Sequence, residues 1–256
     1  MLDESKRAFM VAVRTREIDH SDTSEEYRRF VAFIDEHYGF HSHYYRFCNT
    51  FHLMLASGLD VGGKVVIETG HPCPITQFLA EMGAHTSSTR GDLRYAIEAE
   101  DASADVLVSF EVMEHIKDQT EKKFDDVVLF NESGVQRFAS EIVRVLKPGG
   151  VLYLTTPNAC SLYATMQILR HEPPVLFRPH VREYSRPEVT RIFSALTVET
   201  YISHYSIFQT SLAQRAPLLK RYFTDLGYSD DDRGDLHFFK FRKPLHAIAR
   251  SASNGQ

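Results

Sequence analysis

Val108-Ser109-Phe110-Glu111-Val112-Met113-Glu114-His115-Ile116-Lys117-Asp118 changes character at Glu111. Back through Asp105-Val106-Leu107 the segment is apolar and β-like, and from Glu111 onward its polar residues recur at helical spacing. An apolar run leading directly into such a pattern reads as a buried parallel strand ending in a short helix. In open α/β sheets, ligands sit just beyond the carboxyl ends of such strands. Glu111, Glu114 and His115 stand at i, i+3 and i+4, so a helix would place two carboxylates and an imidazole on one face.

Working outward, Lys64 to Glu68 is a buried strand, followed by Thr69-Gly70 and a helix from about Pro74 to Met82. Pro74 suits a first helical position and Gly83 a stop. Ala84 to Thr89 is a second strand and Asp105 to Phe110 a third. Beyond a polar insertion from Lys117 to Ser133, Val135 to Leu146 is an amphipathic helix that stops at Lys147-Pro148-Gly149-Gly150. Val151 to Thr156 is the next buried strand, ending at Pro157-Asn158. Strands alternating with helices predict an α/β fold with a doubly wound, mainly parallel sheet. Val198 to Ile207 and Leu236 to Arg242 are β-rich, flank a helix around Leu212 to Phe223, and predict an antiparallel C-terminal edge.

Ahead of the first strand, Ser24 to Ile34 and about His41 to Ala56 carry helical periodicity. The second places Tyr44, Phe47, Phe51 and Leu55 along one stripe, which reads either as core packing or as a lid over a substrate. The expected organisation is an N-terminal helical cap over residues 1–57, a domain over 58–245 and a disordered tail over 246–256; residues 1–22 read as an irregular arm.

The formal charge of −5 and the lack of a Lys/Arg block argue against a nucleic-acid partner held by electrostatics alone, while leaving room for a small anionic substrate. Cys48, Cys73 and Cys160 are an odd count, widely spaced, and fit a reduced, cytoplasmic setting better than a disulfide framework. No apolar run approaches the ~20 residues of a membrane span.

Glu68-Thr69-Gly70 after a strand, then Val108 to Asp118, then Val145-Leu146-Lys147-Pro148-Gly149-Gly150-Val151-Leu152-Tyr153-Leu154-Thr155-Thr156-Pro157-Asn158, resembles the class I S-adenosylmethionine-dependent methyltransferases over residues 60–210. The resemblance implies a Rossmann-like fold with S-adenosylmethionine as cofactor. It assigns Glu68 to organising the methionine end and Gly70 to close backbone approach, with Thr69 and Phe110 beside the cofactor. Two features depart from the pattern. The loop Glu68-Thr69-Gly70-His71-Pro72-Cys73-Pro74 has one glycine and two prolines, which remove amide donors and stiffen it. The chain between Asp92 and the strand at Asp105 is too short for the family's customary helix and strand. Either that unit is missing and Asp92 holds the ribose, or Asp92 matches a later aspartate that contacts adenine.

Phe110-Glu111-Val112-Met113-Glu114-His115 is similar to the metal-dependent small-RNA 3′-terminal 2′-O-methyltransferases and to ubiquinone-pathway O-methyltransferases. In the former, two glutamates, the adjacent histidine and a later histidine bind a divalent cation. The resemblance puts Glu111, Glu114, His115 and His180 in that role, a set suited to Mg²⁺ or Mn²⁺. Relatives that need no metal keep the Glu-His pair, so His115 or His180 as a general base is the competing mechanism. Arg178, Arg182 and Arg186, spaced by four, read either as a grip on phosphate or carboxylate or as solvated helix charge.

The expected activity is methyl transfer to a hydroxyl of a sugar or polyol-type small molecule, including an anionic sugar or sugar nucleotide, of the kind found in polysaccharide biosynthesis. The alternatives are terminal RNA 2′-O-methylation and a non-catalytic partner subunit that binds S-adenosylmethionine.

Overall fold

The computed structural model describes residues 24–39, 43–119, 132–205, 210–229 and 231–245, with backbone alone at 210–216. The expected arm at 1–22, the tail at 246–256 and most of the polar insertion lie outside the described residues. Six strands form one sheet: β1 (Val65–Thr69), β2 (His85–Thr89), β3 (Ala104–Phe110), β4 (Leu146–Pro157), β5 (Thr197–His204) and β6 (Leu236–Arg242). Their order is β2-β1-β3-β4-β6-β5. The pairs β1–β2, β1–β3 and β3–β4 are parallel, whereas β6 runs antiparallel to both β4 and β5. This is the mainly parallel α/β sheet with an antiparallel C-terminal edge that the alternation of patterns predicts.

Two layers of helix cover the sheet. On one face lie α1 (Glu25–His37), α2 (Tyr44–Ala56) and α3 (Pro74–Glu81). Ser24 starts α1 by accepting the Tyr27 amide on its side chain at 3.2 Å, and Gly83, at φ +91°, follows the end of α3. Phe30, Phe51 and Phe78 meet in one aromatic cluster, with ring centroids 4.3, 5.3 and 5.4 Å apart, against Val66, Val108, Tyr153 and Phe238. Tyr44, Phe47 and Phe51 are buried and Leu55 packs against them, so the aromatic stripe is core rather than lid. Truncating a ring such as Phe51 costs about 3–5 kcal/mol. The opposite face holds Phe138 and Ile142 of α4 (Ser133–Val145) against Leu107, Leu152, Leu154 and Phe239.

Three further helices lie among the described residues. They are α5 (Leu162–Leu169), α6 (Arg186–Ile192) and α7 (Thr210–Asp225), of which the sequence pattern predicts only α7. Residues 90–103, which join β2 to β3, contain neither helix nor strand, so the customary unit is absent and β2 is an edge strand. Among the described residues no helix is long and apolar enough to cross a membrane.

Candidate functional site

The carboxyl ends of β1, β3 and β4 lie side by side, and the segment after β3 folds over them. Glu111 takes a left-handed conformation, φ +58°, and its amide donates to the Thr155 carbonyl at 3.0 Å. Only Met113–His115 then forms a single 3-10 turn. Glu111, Glu114 and His115 therefore do not share a helix face. The expected helix is broken at its first residue, because the chain turns out of the strand there.

Glu114 is fully buried. Its Oε2 accepts from the Thr156 hydroxyl at 3.0 Å, and its carbonyl accepts the Val181 amide at 2.8 Å. That backbone contact carries His180 across from the segment beyond β4. Glu114 Oε1 lies 3.9 Å from His115 Nε2 and 4.0 Å from His180 Nε2, and it has no hydrogen-bond partner. One ligand atom from each of Glu114, His115 and His180 falls within 4.8 Å of the others. Glu111 stands outside this compact set. Its Oε2 faces Arg46 Nη1 of α2 at 3.8 Å, and its Oε1 is buried with no hydrogen bond.

Burial, reinforced by the nearby Glu111 charge, pushes the Glu114 carboxyl well above the usual range. Burial also raises Glu111, with Arg46 opposing it. Burial and the neighbouring His180 lower the His115 imidazole below its ordinary value. His180 Nδ1 meets Glu183 Oε1 at 2.6 Å. A carboxylate accepts only, so Nδ1 donates to Glu183 and Nε2 faces Glu114. A carboxylate behind a histidine is a common support for a metal-bound imidazole. One buried oxygen without a partner beside two imidazole nitrogens fits a divalent cation with an O/N donor set.

A cleft of about 480 Å³ opens beside this cluster, between residues 91–94 and the segment of Val112, His115, Ile116 and Lys117. Asp92 lines it, exposed, with its carboxylate held by Arg94 Nε at 2.9 and 3.0 Å, which keeps that carboxyl below its ordinary range. Gly70 sits at φ +94°, a backbone shape that side chains disfavour, and a Cβ there would lie 3.6 Å from Val112. Glu68 is 2% exposed and accepts the Cys73 amide at 2.9 Å, so it ties down the proline-bearing loop from beneath rather than lining the cleft. Thr69 is likewise buried, and Phe110 packs partly buried on the face shared with α2.

The three arginines do not form a common grip. No helix spans 178–185; α6 begins only at Arg186. Arg182 pairs with Glu132 at 2.7 Å and with Glu188, Arg186 pairs with Asp232 at 2.8 Å, and Arg178 is exposed. Arg46, Thr156 and Glu183 belong to the site without having been legible as candidates. Of these only Glu183, three residues after His180, carried a local signal.

Residues 42–197 match the model of the methyltransferase domain family. A protein of Mycolicibacterium smegmatis, described as a probable S-adenosylmethionine-dependent methyltransferase, is 35% identical over 114 residues, 43% of this chain and 36% of that protein. The chain thus matches little more than a third of that relative's length. Among solved structures, the S-adenosylmethionine-dependent methyltransferase of Mesorhizobium loti superposes with a TM-score of 0.47 at 13% identity, over 74% of this chain and 95% of that one. Phosphoethanolamine N-methyltransferase 2 of Haemonchus contortus, in complex with S-adenosyl-L-methionine, gives 0.48 at 15% identity, over 84% of this chain and 60% of that one. The family match spans more than half of the chain and takes in the Gly70 loop, the cleft and the Glu114–His115–His180 cluster: the chain belongs to the methyltransferase domain family.

Proposed function

We propose that this protein transfers the methyl group of S-adenosylmethionine to a hydroxyl oxygen of a sugar or polyol-type small molecule, with a divalent cation held by Glu114, His115 and His180. The observation that carries the reading is Glu114 Oε1, buried and without a hydrogen-bond partner between two imidazole nitrogens. A buried carboxylate oxygen left in that state is costly unless a ligand completes it. When bound, Mg²⁺ or Mn²⁺ supplies the charge that lowers the pKa of an acceptor hydroxyl.

The remaining work falls to the chain. In the transfer, the hydroxyl oxygen forms a bond to the methyl carbon, the carbon–sulfur bond breaks, and the hydroxyl proton departs to a base or to water. The Gly91-Asp92 turn lines the cleft that would take the donor, and Gly70 lies behind it against Val112. His115 lies at the junction, lining the cleft and joining the cluster, so it aligns the acceptor side with the methyl group. In this reading α1 and α2 cover the face of the sheet from which Arg46 reaches Glu111. The acidic net charge favours a small acceptor over RNA.

A second mechanism has its own support. The 2.6 Å contact of His180 with Glu183 also suits a general base, with Nε2 receiving the hydroxyl proton and no ion involved. Chelation separates the two. Transfer of labelled methyl to a panel of sugars and polyols should stop in chelator and return with Mg²⁺ or Mn²⁺. Undiminished turnover after complete metal removal would leave the His180–Glu183 base as the mechanism.

A further inference from the structure

Arg46 is a mostly buried cation beside Glu111 whose charge no close ion pair satisfies. It projects from the first turn of α2, which is fixed on one side by Phe47 and Phe51 in the core. On the other side, Asn49 Nδ2 donates to the Tyr205 carbonyl at 3.2 Å, tying α2 to the end of β5. The guanidinium carbon lies 5.0 Å from the centre of the Phe47 ring, and the side chain is only 18% exposed. Its Nε is buried and donates to nothing. The Glu111 contact, at 3.8 Å, is longer than a hydrogen bond. By contrast, Arg144 lies on Glu141 at 2.7 Å and Arg191 on Glu132 at 2.9 Å.

A guanidinium offers five donors in a flat fork that matches two oxygens of one oxyanion. Arg46 offers that fork beside the acidic cluster, on the side of the sheet covered by the N-terminal helices. We propose that Arg46 binds a carboxylate or phosphate group of the methyl acceptor, so that the acceptor is an anionic polyol. The inference rests on the hydroxyl-transfer reading for the rest of the acceptor molecule. It moves recognition of the anion from Arg178, Arg182 and Arg186, two of which are already paired with carboxylates, to a residue that faces Glu111 at the end of β3.

The test is calorimetric titration of the full chain, saturated with S-adenosylhomocysteine, with D-glucuronate, D-glucose 6-phosphate and D-glucose. At least one anion should bind and glucose should not, the two anions distinguishing a carboxylate from a phosphate. Arg46→Gln should weaken anion binding about ten- to a hundredfold, the range for losing a charged hydrogen-bonded pair. Arg46→Lys, which keeps the charge and loses the fork, should fall between them. S-Adenosylhomocysteine affinity should be the same in all three proteins. The proposal is overturned if the anions bind no better than glucose to the wild type at about 50 mM, or if Arg46→Gln binds them undiminished. Binding of S-adenosylhomocysteine without the anions removes only the role of Arg46. Binding of the anions without S-adenosylhomocysteine removes the methyl-donor reading and leaves Arg46 in place.

Discussion

Replacing Glu114 by glutamine should stabilise the metal-free protein while destroying its affinity for a divalent ion. Glutamine keeps the volume of the side chain and an oxygen for the Thr156 hydroxyl, and it removes a charge from a fully buried position next to Glu111. The sign follows from the raised carboxyl pKa. The folded state holds the Glu114 proton more tightly than the unfolded chain, whose value is near 4.5. The group's contribution to stability is therefore complete below that pH. It is lost as pH rises toward the folded value, at about 1.4 kcal/mol per pH unit within the window. Glutamine has no such loss. At pH 8 in chelator the variant should exceed the wild type by about 1–4 kcal/mol, the range for replacing buried ionic groups by neutral ones of similar volume. That corresponds to a melting temperature higher by about 2–4 °C per kcal/mol for a chain of this size. Near pH 4.5 the advantage should vanish. Thermal unfolding across that pH range gives the first quantity, and titration with Mn²⁺ gives the second, a loss of at least about a hundredfold. A variant less stable than wild type at pH 8, with Mn²⁺ affinity unchanged, would make Glu114 a structural residue and refute the reasoning.

Other substitutions test other parts of the molecule. Glu183→Gln should weaken Mn²⁺ binding by about ten- to a hundredfold without touching S-adenosylmethionine affinity, since it only supports His180; equal Mn²⁺ affinity would count against the His180 assignment. Gly70→Val forces a β-branched residue to φ +94° beside Val112, and should lower S-adenosylmethionine affinity by tenfold or so; calorimetry showing wild-type affinity would place the cofactor away from that loop. His237 is buried, with its pKa lowered to about 4 chiefly by that burial. The unfolded chain takes up its proton near pH 6.5, so His237 costs stability as pH falls from there toward 4, at about 1.4 kcal/mol per pH unit. Urea denaturation should show that slope reduced by this amount in His237→Gln; identical slopes would contradict it.

Legibility in the sequence followed the range of the interactions involved. β1, β3 and β4 declared themselves as apolar runs because a central parallel strand is buried on both faces. The position of the site followed from the same runs, because ligands gather at their carboxyl ends. The conformation at Glu111 was hidden. Glutamate has no preference for the left-handed region, and the bond from its amide to the Thr155 carbonyl is a long-range contact that local pattern does not announce. α5 was hidden for a different reason: Leu162–Leu169 is apolar almost throughout and lacks the two-faced pattern that marks a helix. α6 did leave a mark, since Ser185 and Glu188 form a capping box, but the arginine spacing pointed to a helix starting earlier, where none exists. Arg46 could not be found locally, because it reaches the site from a helix 65 residues before Glu111 in the chain.

The missing unit after β2 has a consequence for the exchange of the cofactor. β2 borders solvent along one side, five residues long, and is held in the sheet by β1 alone. Its sequence, His85-Thr86-Ser87-Ser88-Thr89, is polar, and only Thr89 is buried. Such an outermost strand resists pairing with foreign strands, since it offers them little apolar surface. It also opens at low free-energy cost, because few buried contacts hold it. Thr89 accepts the Gly70 amide at 3.4 Å, and Asp92 follows three residues later. Fraying of β2 therefore loosens the loop and the cleft wall together. Amide hydrogens of β2 should therefore exchange rapidly in the free protein and slow when S-adenosylmethionine is added, if the cofactor fills the cleft as proposed.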